Sequence, residues 1–508
     1  MAKTIMVQGT ASNVGKTLIV AGLCRIFKQD GYRAAPFKSQ NMALNSYITK
    51  DGLEIGRAQA VQAEAAGIEP TIDMNPILLK PSGTAQAQII VQGEVFNDLN
   101  PEGYYAYKHT LAPKIKESFE RLSQDFDIIV LEGAGSPAEI NLKENDIVNM
   151  YMARQAKAPV LLAGDIDRGG VFASIAGTLL LFTEEERRFV KGILINKFRG
   201  SQTLLEPGLR QLEELIRKPV LGVIPYIEID IDDEDSLTER FNRVSASSGL
   251  ADIGVIHLPH IANFTDFNAL SRIPGIRLRY VSHADALAPA DMIIIPGTKN
   301  TMADLRWLRQ TGLAEAVKKL AICGTPIFGI CGGYQILGIG LEDPFNVEYG
   351  GTMEGLALLP VTTVFTKEKI RTRVQGYFAP LEGILAPLSG AAIEGYEVHM
   401  GATRLINDKD AVSLAQIQNI SSGEHKLDGT FAGNIYGTYI HGIFDADPLA
   451  LIKALCSGKG AVYKIPDAYA EEDLNFKAYK DKQYDILADC LRRYINMEQV
   501  YAILEEGI

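Results

Sequence analysis

The chain has 508 residues, 47% hydrophobic and 22% charged, with a net charge of −12. Such a length exceeds one ordinary core and predicts two or three domains, while the acidic balance argues against a general nucleic-acid or membrane-surface binder. No apolar run approaches the ~18 residues needed to span a bilayer, the first apolar run leads straight into a loop and does not read as a signal peptide, and five scattered cysteines (24, 323, 331, 456 and 490) read as reduced thiols of a cytoplasmic protein.

From residue 1 to about 230, short β-rich runs alternate with helical stretches, the pattern of parallel α/β layers. Strands are expected at 3–8, 33–37, 127–132, 159–164, 190–196 and 219–224, and helices at 16–29, 55–66, 145–157, 172–182 and 203–216. The first helix ends at Asp30-Gly31, with glycine in the usual C-terminal position. The acidic stretch 228–235 and the small polar run 245–249 read as a linker or exposed arm. A second α/β region follows from Ala251, with strands expected at 252–258, 291–296, 325–330 and near 436–443. The stretch 446–508, rich in Leu, Ala, Tyr and charge, reads as helices packed on that region.

Gly9-Thr10-Ala11-Ser12-Asn13-Val14-Gly15-Lys16-Thr17 follows the apolar run Thr4-Ile5-Met6-Val7, placing a phosphate-binding loop after a strand. Such a loop turns backbone N–H groups onto phosphate oxygens in front of a helix N-terminus. Thr10, Asn13, Gly15, Lys16 and Thr17 are therefore nucleotide-binding candidates, with Lys16 on the outer phosphates and the Thr17 hydroxyl on Mg²⁺. Gly9 lies one residue farther out than in the usual pattern, and Thr10 takes the first-glycine position. Glu132, just past a buried strand, and Asp165, in Gly164-Asp165-Ile166-Asp167-Arg168-Gly169-Gly170, end strands at the same ligand-bearing edge and are candidate metal ligands. Asn196, after another strand, is a candidate for the adenine edge.

Far downstream, Thr325-Pro326-Ile327-Phe328 runs into Gly329-Ile330-Cys331-Gly332-Gly333, and His441 lies in Gly437-Thr438-Tyr439-Ile440-His441-Gly442. A nucleophilic thiolate needs exposure and a base. The strand-to-turn placement supplies exposure, the two glycines keep side chains away from an approaching carbonyl, and His441 can take the proton. Backbone N–H groups at Gly332 and near Gly297, in Pro296-Gly297-Thr298, are candidate oxyanion donors. One half is thus expected to handle a nucleoside triphosphate, and the other could open an amide.

Several longer words carry a resemblance: Pro36-Phe37-Lys38-Ser39-Gln40-Asn41-Met42, Gly56-Arg57-Ala58-Gln59-Ala60, Asp73-Met74-Asn75-Pro76, Asp165-Ile166-Asp167-Arg168-Gly169-Gly170, Ile195-Asn196-Lys197-Phe198-Arg199-Gly200, Asn263-Phe264-Thr265-Asp266-Phe267 and Gly395-Tyr396-Glu397-Val398-His399-Met400-Gly401. With them the chain resembles the cobyric acid synthase family, glutamine-dependent amidotransferases of cobalamin biosynthesis, over almost its whole length. The resemblance implies an α/β fold class. An N-terminal parallel-sheet P-loop domain resembling dethiobiotin synthetase would span 1–230, a linker 231–250, a class I glutamine amidotransferase-like domain 251–445 and a helical extension 446–508. Cys331 matches the family's nucleophile and His441 its histidine. ATP and Mg²⁺ are the implied cofactors, and glutamine and a corrinoid the implied partners, without nucleic acid or membrane insertion.

The implied reaction amidates the b, d, e and g carboxylates of adenosylcobyrinic acid a,c-diamide through an acyl phosphate, with ammonia expected to travel a sheltered path between domains. Lys38, Gln40, Asn41, Arg57, Lys80 and Arg168 are candidates for the corrinoid's acid and amide arms. The chain departs from neighbouring families in three places. Ile443 stands where many class I glutaminases carry Glu, leaving Glu397 as a weak third triad member; Thr298 replaces a second glycine; and Ala11 replaces the loop Asp of dethiobiotin synthetase. Two rivals stand beside this reading: an enzyme that amidates only the a and c positions, and a phosphate-loop switch ATPase with an inactive glutaminase-like module.

Overall fold

A strand covered on both faces needs apolar residues at every position. Ile5-Met6-Val7, Ile128-Ile129-Val130-Leu131 and Val160-Leu161-Leu162 meet that need, and all are buried. In the computed structural model, which describes residues 2–83, 86–99, 108–231, 250–288, 290–406, 412–465 and 475–508, these runs are central strands of a six-stranded parallel sheet: Lys3–Gly9 (β1), Ala34–Phe37 (β2), Ile128–Glu132 (β3), Val160–Asp165 (β4), Val190–Phe198 (β5) and Val220–Pro225 (β6), in the order β6-β5-β4-β1-β3-β2. β1 lies between β3 and β4, so strand order reverses around it, and ligands collect beyond the carboxyl ends at such a reversal. Gly9, Glu132, Asp165 and Asn196 all sit at that edge.

The chain divides into two compact units. The first comprises Met1–Ala43, Glu54–Asp232 and Tyr479–Ile508; the second comprises Leu44–Leu53 and Asp233–Ala478. This differs from the expected division at both ends. Residues 479–508 belong to the first unit, although the stretch 446–508 was expected on the amidotransferase domain. The reason is a fitted seat on the helix Lys16–Gln29. Gly22 has no side chain, and a Cβ there would lie 2.3 Å from Leu491 Cδ1. Buried Arg25 pairs with Asp485 at 2.7 Å and Asp481 at 3.2 Å, and Arg492 pairs with Asp30 at 2.6 Å. The helix Pro448–Gly458 stays with the second unit, where Leu455 and Cys456 join its core. The second departure is the short segment 44–53, which packs within the second unit. The expected linker lies almost wholly outside the described residues, at 232–249.

Two elements of the first unit also differ from expectation. Only Met150–Gln155 is α-helical in the stretch 145–157. The Asp146 carboxylate accepts the N–H groups of Val148, Asn149 and Tyr151 at 2.8–2.9 Å, offering the backbone an alternative to the helix. A small sheet of Gln40–Met42, Ile77–Gly83, Gln86–Val91 and Glu94–Leu99 was not anticipated.

The second unit repeats the buried parallel pattern with Ala251–Ile256 (β7), Ile276–Val281 (β8), Met292–Ile295 (β9) and Ile327–Ile330 (β10). A long antiparallel pair, Val361–Phe378 (β11) and Ala392–Leu405 (β12), builds a second sheet. The chain then returns through Thr430–Ala432 (β13), Ile435–Thr438 (β14) and Ile440–His441 (β15). The first sheet runs β8-β7-β9-β10-β14-β13, whereas β15 pairs with β12, placing His441 opposite Tyr396. The single strand expected at 436–443 is therefore broken at Tyr439, where the chain changes sheets, and the Thr438 hydroxyl accepts the Ile440 N–H at 3.0 Å. That step carries His441 from the β14 line to the neighbourhood of β12. Among the described residues no helix is long and apolar enough to cross a membrane.

Candidate active sites

In the first unit, Gly15 closes the phosphate loop with φ +94°, and Asn13 is also left-handed at +59°. A Cβ at Gly15 would lie 2.2 Å from Asn196 Nδ2, so the position demands glycine for both conformation and space. The Lys16 ammonium donates to the carbonyls of Ala11 at 3.0 Å and Gly135 at 3.1 Å, lying across the loop. The Thr10 N–H donates to Ala163 O at 2.9 Å, tying the loop to β4. Asn196 donates through Nδ2 to Val14 O at 2.7 Å. Its amide, expected at an adenine edge, thus braces the back of the loop.

The Thr17 hydroxyl donates to Glu132 Oε1 at 2.9 Å, bringing together two of the three residues expected to hold a cation. Lys38 ion-pairs with the same oxygen at 2.9 Å, and Gln62 donates to the other at 2.5 Å. Asp165 pairs with Lys197 at 2.9 Å and accepts the Asp167 N–H, while Asp167 pairs with Arg199 at 3.1 Å. These hard oxygens fit Mg²⁺, which takes one or two carboxylates and completes its shell with phosphates and water. No cluster of three or more His, Cys, Asp or Glu side chains gathers among the described residues to form an all-protein cage.

In the second unit, Cys331 directly follows β10 with φ +52° and ψ −109°, a conformation that a non-glycine residue adopts only when its surroundings enforce it. The enforcement is close packing. A Cβ at Gly333 would lie 1.9 Å from Ile295 O, and one at Gly332 would lie 2.5 Å from Thr298 Cγ2. The Cys331 N–H donates to Thr438 O at 2.8 Å, and the thiol reaches Val398 O at 3.6 Å. Gly297 lies beside the imidazole, since a Cβ there would be 2.8 Å from His441 Cε1.

His441 is buried, and its Nδ1 lies 2.7 Å from Asp266 Oδ2; Asp266 Oδ1 accepts the Gly442 N–H at 3.0 Å. Burial alone would push this imidazole down, but the Asp266 carboxylate and the Cys331 thiol bonded to it reverse the effect and push it up to about 10. Asp266 thus holds the ring nitrogen that a third triad member would hold, a place Ile443 leaves without a carboxylate. Glu397 is engaged elsewhere, paired with Lys426 at 2.7 Å and accepting from Thr372 at 2.6 Å. Burial opposes its ionisation, yet His399, Lys426 and Thr372 hold it down at about 2. Asp266 was visible only as part of the word Asn263-Phe264-Thr265-Asp266-Phe267, 175 residues before its partner. Nearby, the Thr301 hydroxyl oxygen lies 3.0 Å from both Gln335 Oε1 and Glu348 Oε1, and burial pushes the Glu348 carboxyl up to about 7. No sequence pattern had singled out that cluster.

Residues 5–236 match a CobQ/CobB/MinD/ParA nucleotide binding domain, and residues 252–449 match a CobB/CobQ-like glutamine amidotransferase domain. A cobyric acid synthase of Ruminiclostridium cellulolyticum is 57% identical, covering 100% of this chain and 98% of its own. One of Lachnoclostridium phytofermentans is 51% identical over 100% of both chains, and one of Citrobacter koseri is 50% identical over 100% of this chain and 99% of its own.

The chain belongs to the cobyric acid synthase family. The expected fold class, a nucleotide-binding parallel-sheet domain followed by an amidotransferase domain, holds, as does the enzyme class, a glutamine-dependent carbon–nitrogen ligase. The residues expected to meet the corrinoid do not form one uniform set. Lys38 is buried against Glu132, Lys80 is buried in a 2.7 Å ion pair with Glu54, and buried Asn41 donates to Gln59 at 3.1 Å. Arg57 is buried at the start of its helix, Gln40 is half-buried on a short strand, and Arg168 is exposed between β4 and the next helix.

Proposed function

We propose that the two sites divide one synthesis: Cys331, His441 and Asp266 release ammonia from glutamine, and the loop around Lys16 activates corrinoid carboxylates with ATP. The carrying observation is the thiol on a strained turn with an imidazole that Asp266 holds through Nδ1. In the first step Cys331 Sγ attacks the side-chain amide carbon of glutamine as His441 takes the thiol proton. Backbone N–H groups at Gly332 and near Gly297 stabilise the oxyanion. His441 then protonates the departing nitrogen, the C–N bond breaks, ammonia leaves and a thioester remains. Water adds with His441 as base, the C–S bond breaks, and glutamate and the thiol are regenerated.

In the first unit the terminal phosphoryl group of ATP passes to a substrate carboxylate, giving ADP and an acyl phosphate. Ammonia adds to the acyl carbon and phosphate leaves. Lys16 neutralises charge on the transferring group, and Thr10, Asn13, Gly15 and Thr17 line the loop that holds the triphosphate. Thr17 and Glu132 would hold Mg²⁺, which supplies charge neutralisation at the phosphate oxygens. The carboxylates amidated are those at b, d, e and g of adenosylcobyrinic acid a,c-diamide. Full-length relatives named cobyric acid synthase favour this step over amidation at a and c.

Mass spectrometry of the corrinoid after incubation with glutamine, ATP and Mg²⁺ tests the assignment. Stepwise conversion of acid to amide on the a,c-diamide is expected, with no turnover of cobyrinic acid itself. An unchanged a,c-diamide, or amidation of cobyrinic acid at a and c, overturns it.

A further inference from the structure

His441 has a neighbour at its other nitrogen. Asn263 Nδ2 lies 3.3 Å from His441 Nε2, the nitrogen left for Cys331 once Asp266 takes Nδ1. Asn263 is buried, and its φ is +53°. Asparagine tolerates that conformation, so the residue type has a backbone explanation, but the side chain is held by a separate contact. The Ser46 N–H donates to Asn263 Oδ1 at 3.3 Å. Ser46 belongs to the segment 44–53, which packs within the second unit although the chain on either side of it belongs to the first. The Tyr396 hydroxyl donates to Ser46 O at 3.4 Å, and the Tyr396 ring stacks on the His441 imidazole, centroids 5.3 Å apart.

We propose that Asn263 is a positioning residue for His441, and that segment 44–53 sets which end of its amide meets the imidazole. An amide NH₂ can only donate. With Nδ2 toward Nε2, the amide favours the form of the imidazole that presents a lone pair there and carries its proton on Nδ1, and so opposes the protonation that Asp266 promotes. Moving the Cys331 proton onto Nε2 then sets two donors face to face, so the amide favours the resting thiol. Turning the amide over puts Oδ1 at Nε2, where it accepts from the imidazolium and favours the thiolate. The Ser46 N–H opposes that turn because it would then face the NH₂. The other charged groups near this point are engaged: Asp266 on His441 Nδ1, Glu397 on Lys426, and His399 Nδ1 on Gly401 O at 2.9 Å.

The test follows alkylation of Cys331 by iodoacetamide against pH in the full-length protein, with mass spectrometry locating the label and Cys331→Ala as blank. Asn263→Gly keeps the left-handed backbone and removes the amide; Asn263→Asp keeps an acceptor facing Nε2. The pH midpoint is expected to fall in the order wild type, Asn263→Gly, Asn263→Asp, the glycine variant giving about tenfold more thiolate at a fixed pH below the midpoint. Glutamine hydrolysis without ATP or corrinoid should rise in Asn263→Gly. Tyr396→Phe, which keeps the ring on His441 but loosens Ser46, should shift the midpoint in the same direction by less. Identical midpoints in wild type and both Asn263 variants, with only thermal stability changed, overturn the proposal. An unmoved Tyr396→Phe midpoint overturns the part played by segment 44–53. If no label reaches Cys331, or wild type releases no glutamate with all substrates present, it is the glutaminase reading that fails instead.

Discussion

The two sites are built by opposite strategies. The phosphate loop is nine consecutive residues at the end of β1, and its supports come from neighbouring strand ends: Asn196 on Val14 O, Glu132 on Thr17, Lys197 on Asn13 O at 2.6 Å. The cysteine site joins distant pieces. Cys331 comes just after β10, His441 from β15 after the chain has changed sheets, and Asp266 from a turn 175 residues before the histidine. A parallel sheet delivers ligands to one edge by topology alone, so the first site needs little beyond its loop. The second concentrates its cost in one strained turn, and its chemistry depends on contacts that only the finished fold creates.

This contrast predicts which damage stays local. Cys331→Ala should reduce glutamine hydrolysis by about 10⁶-fold, yet amidation driven by added ammonium should survive; loss of both, measured as glutamate and amidated corrinoid, would show that the sites are not separable. Asp266→Asn should cost about 10⁴-fold in hydrolysis by leaving the imidazole in the wrong tautomer, again with ammonium-driven amidation intact. The same variant has a stability signature. The His441 pKa is raised from 6.5 to about 10, so the pair's contribution is fully present below 6.5 and is lost as pH rises through about 10. Denaturant titrations should show the gap between wild type and Asp266→Asn widest in mild acid and closing across that window. Lys16→Ala should reduce amidation from either nitrogen source by about 10³-fold and leave glutamine hydrolysis in place.

Smaller effects separate packing from conformation. Gly333→Ala forces a Cβ onto the Ile295 carbonyl, which sits in backbone and cannot swing aside, and should destabilise by about 3 kcal/mol. Gly31→Ala meets nothing within 4 Å, and its only penalty is φ +89°, about 1–2 kcal/mol. Chemical denaturation that ranks Gly31→Ala as the worse variant would break the view that the cysteine turn is held by steric necessity.

What could be read from the residues follows the same division. The buried parallel strands were legible because apolar runs such as Ile128-Ile129-Val130-Leu131 and Met292-Ile293-Ile294-Ile295 have no other stable place. The phosphate loop was legible because its parts are contiguous. The pair β11 and β12 was not, because its burial alternates irregularly and charged residues such as Lys367, Glu368 and Lys369 interrupt the apolar pattern. Asp266 escaped because nothing in a linear pattern says which carboxylate will meet a histidine 175 residues on. The final helices were recognised as helices, but their seat depended on the absent side chain of Gly22 and on ion pairs such as Arg25 with Asp485, set by a helix near the opposite terminus.

That seat bears on how the protein is made. Tyr484, Leu487, Leu491, Val500 and Leu504 share a core with Ile19, Leu23 and Phe27. During translation the ribosome releases the nucleotide-binding half long before those last residues emerge, so the face of its first helix that seats them stays uncovered while the whole amidotransferase half is synthesised. Vectorial maturation, in which each half finishes in turn, is closed to this polypeptide; the half begun first is the last to be completed.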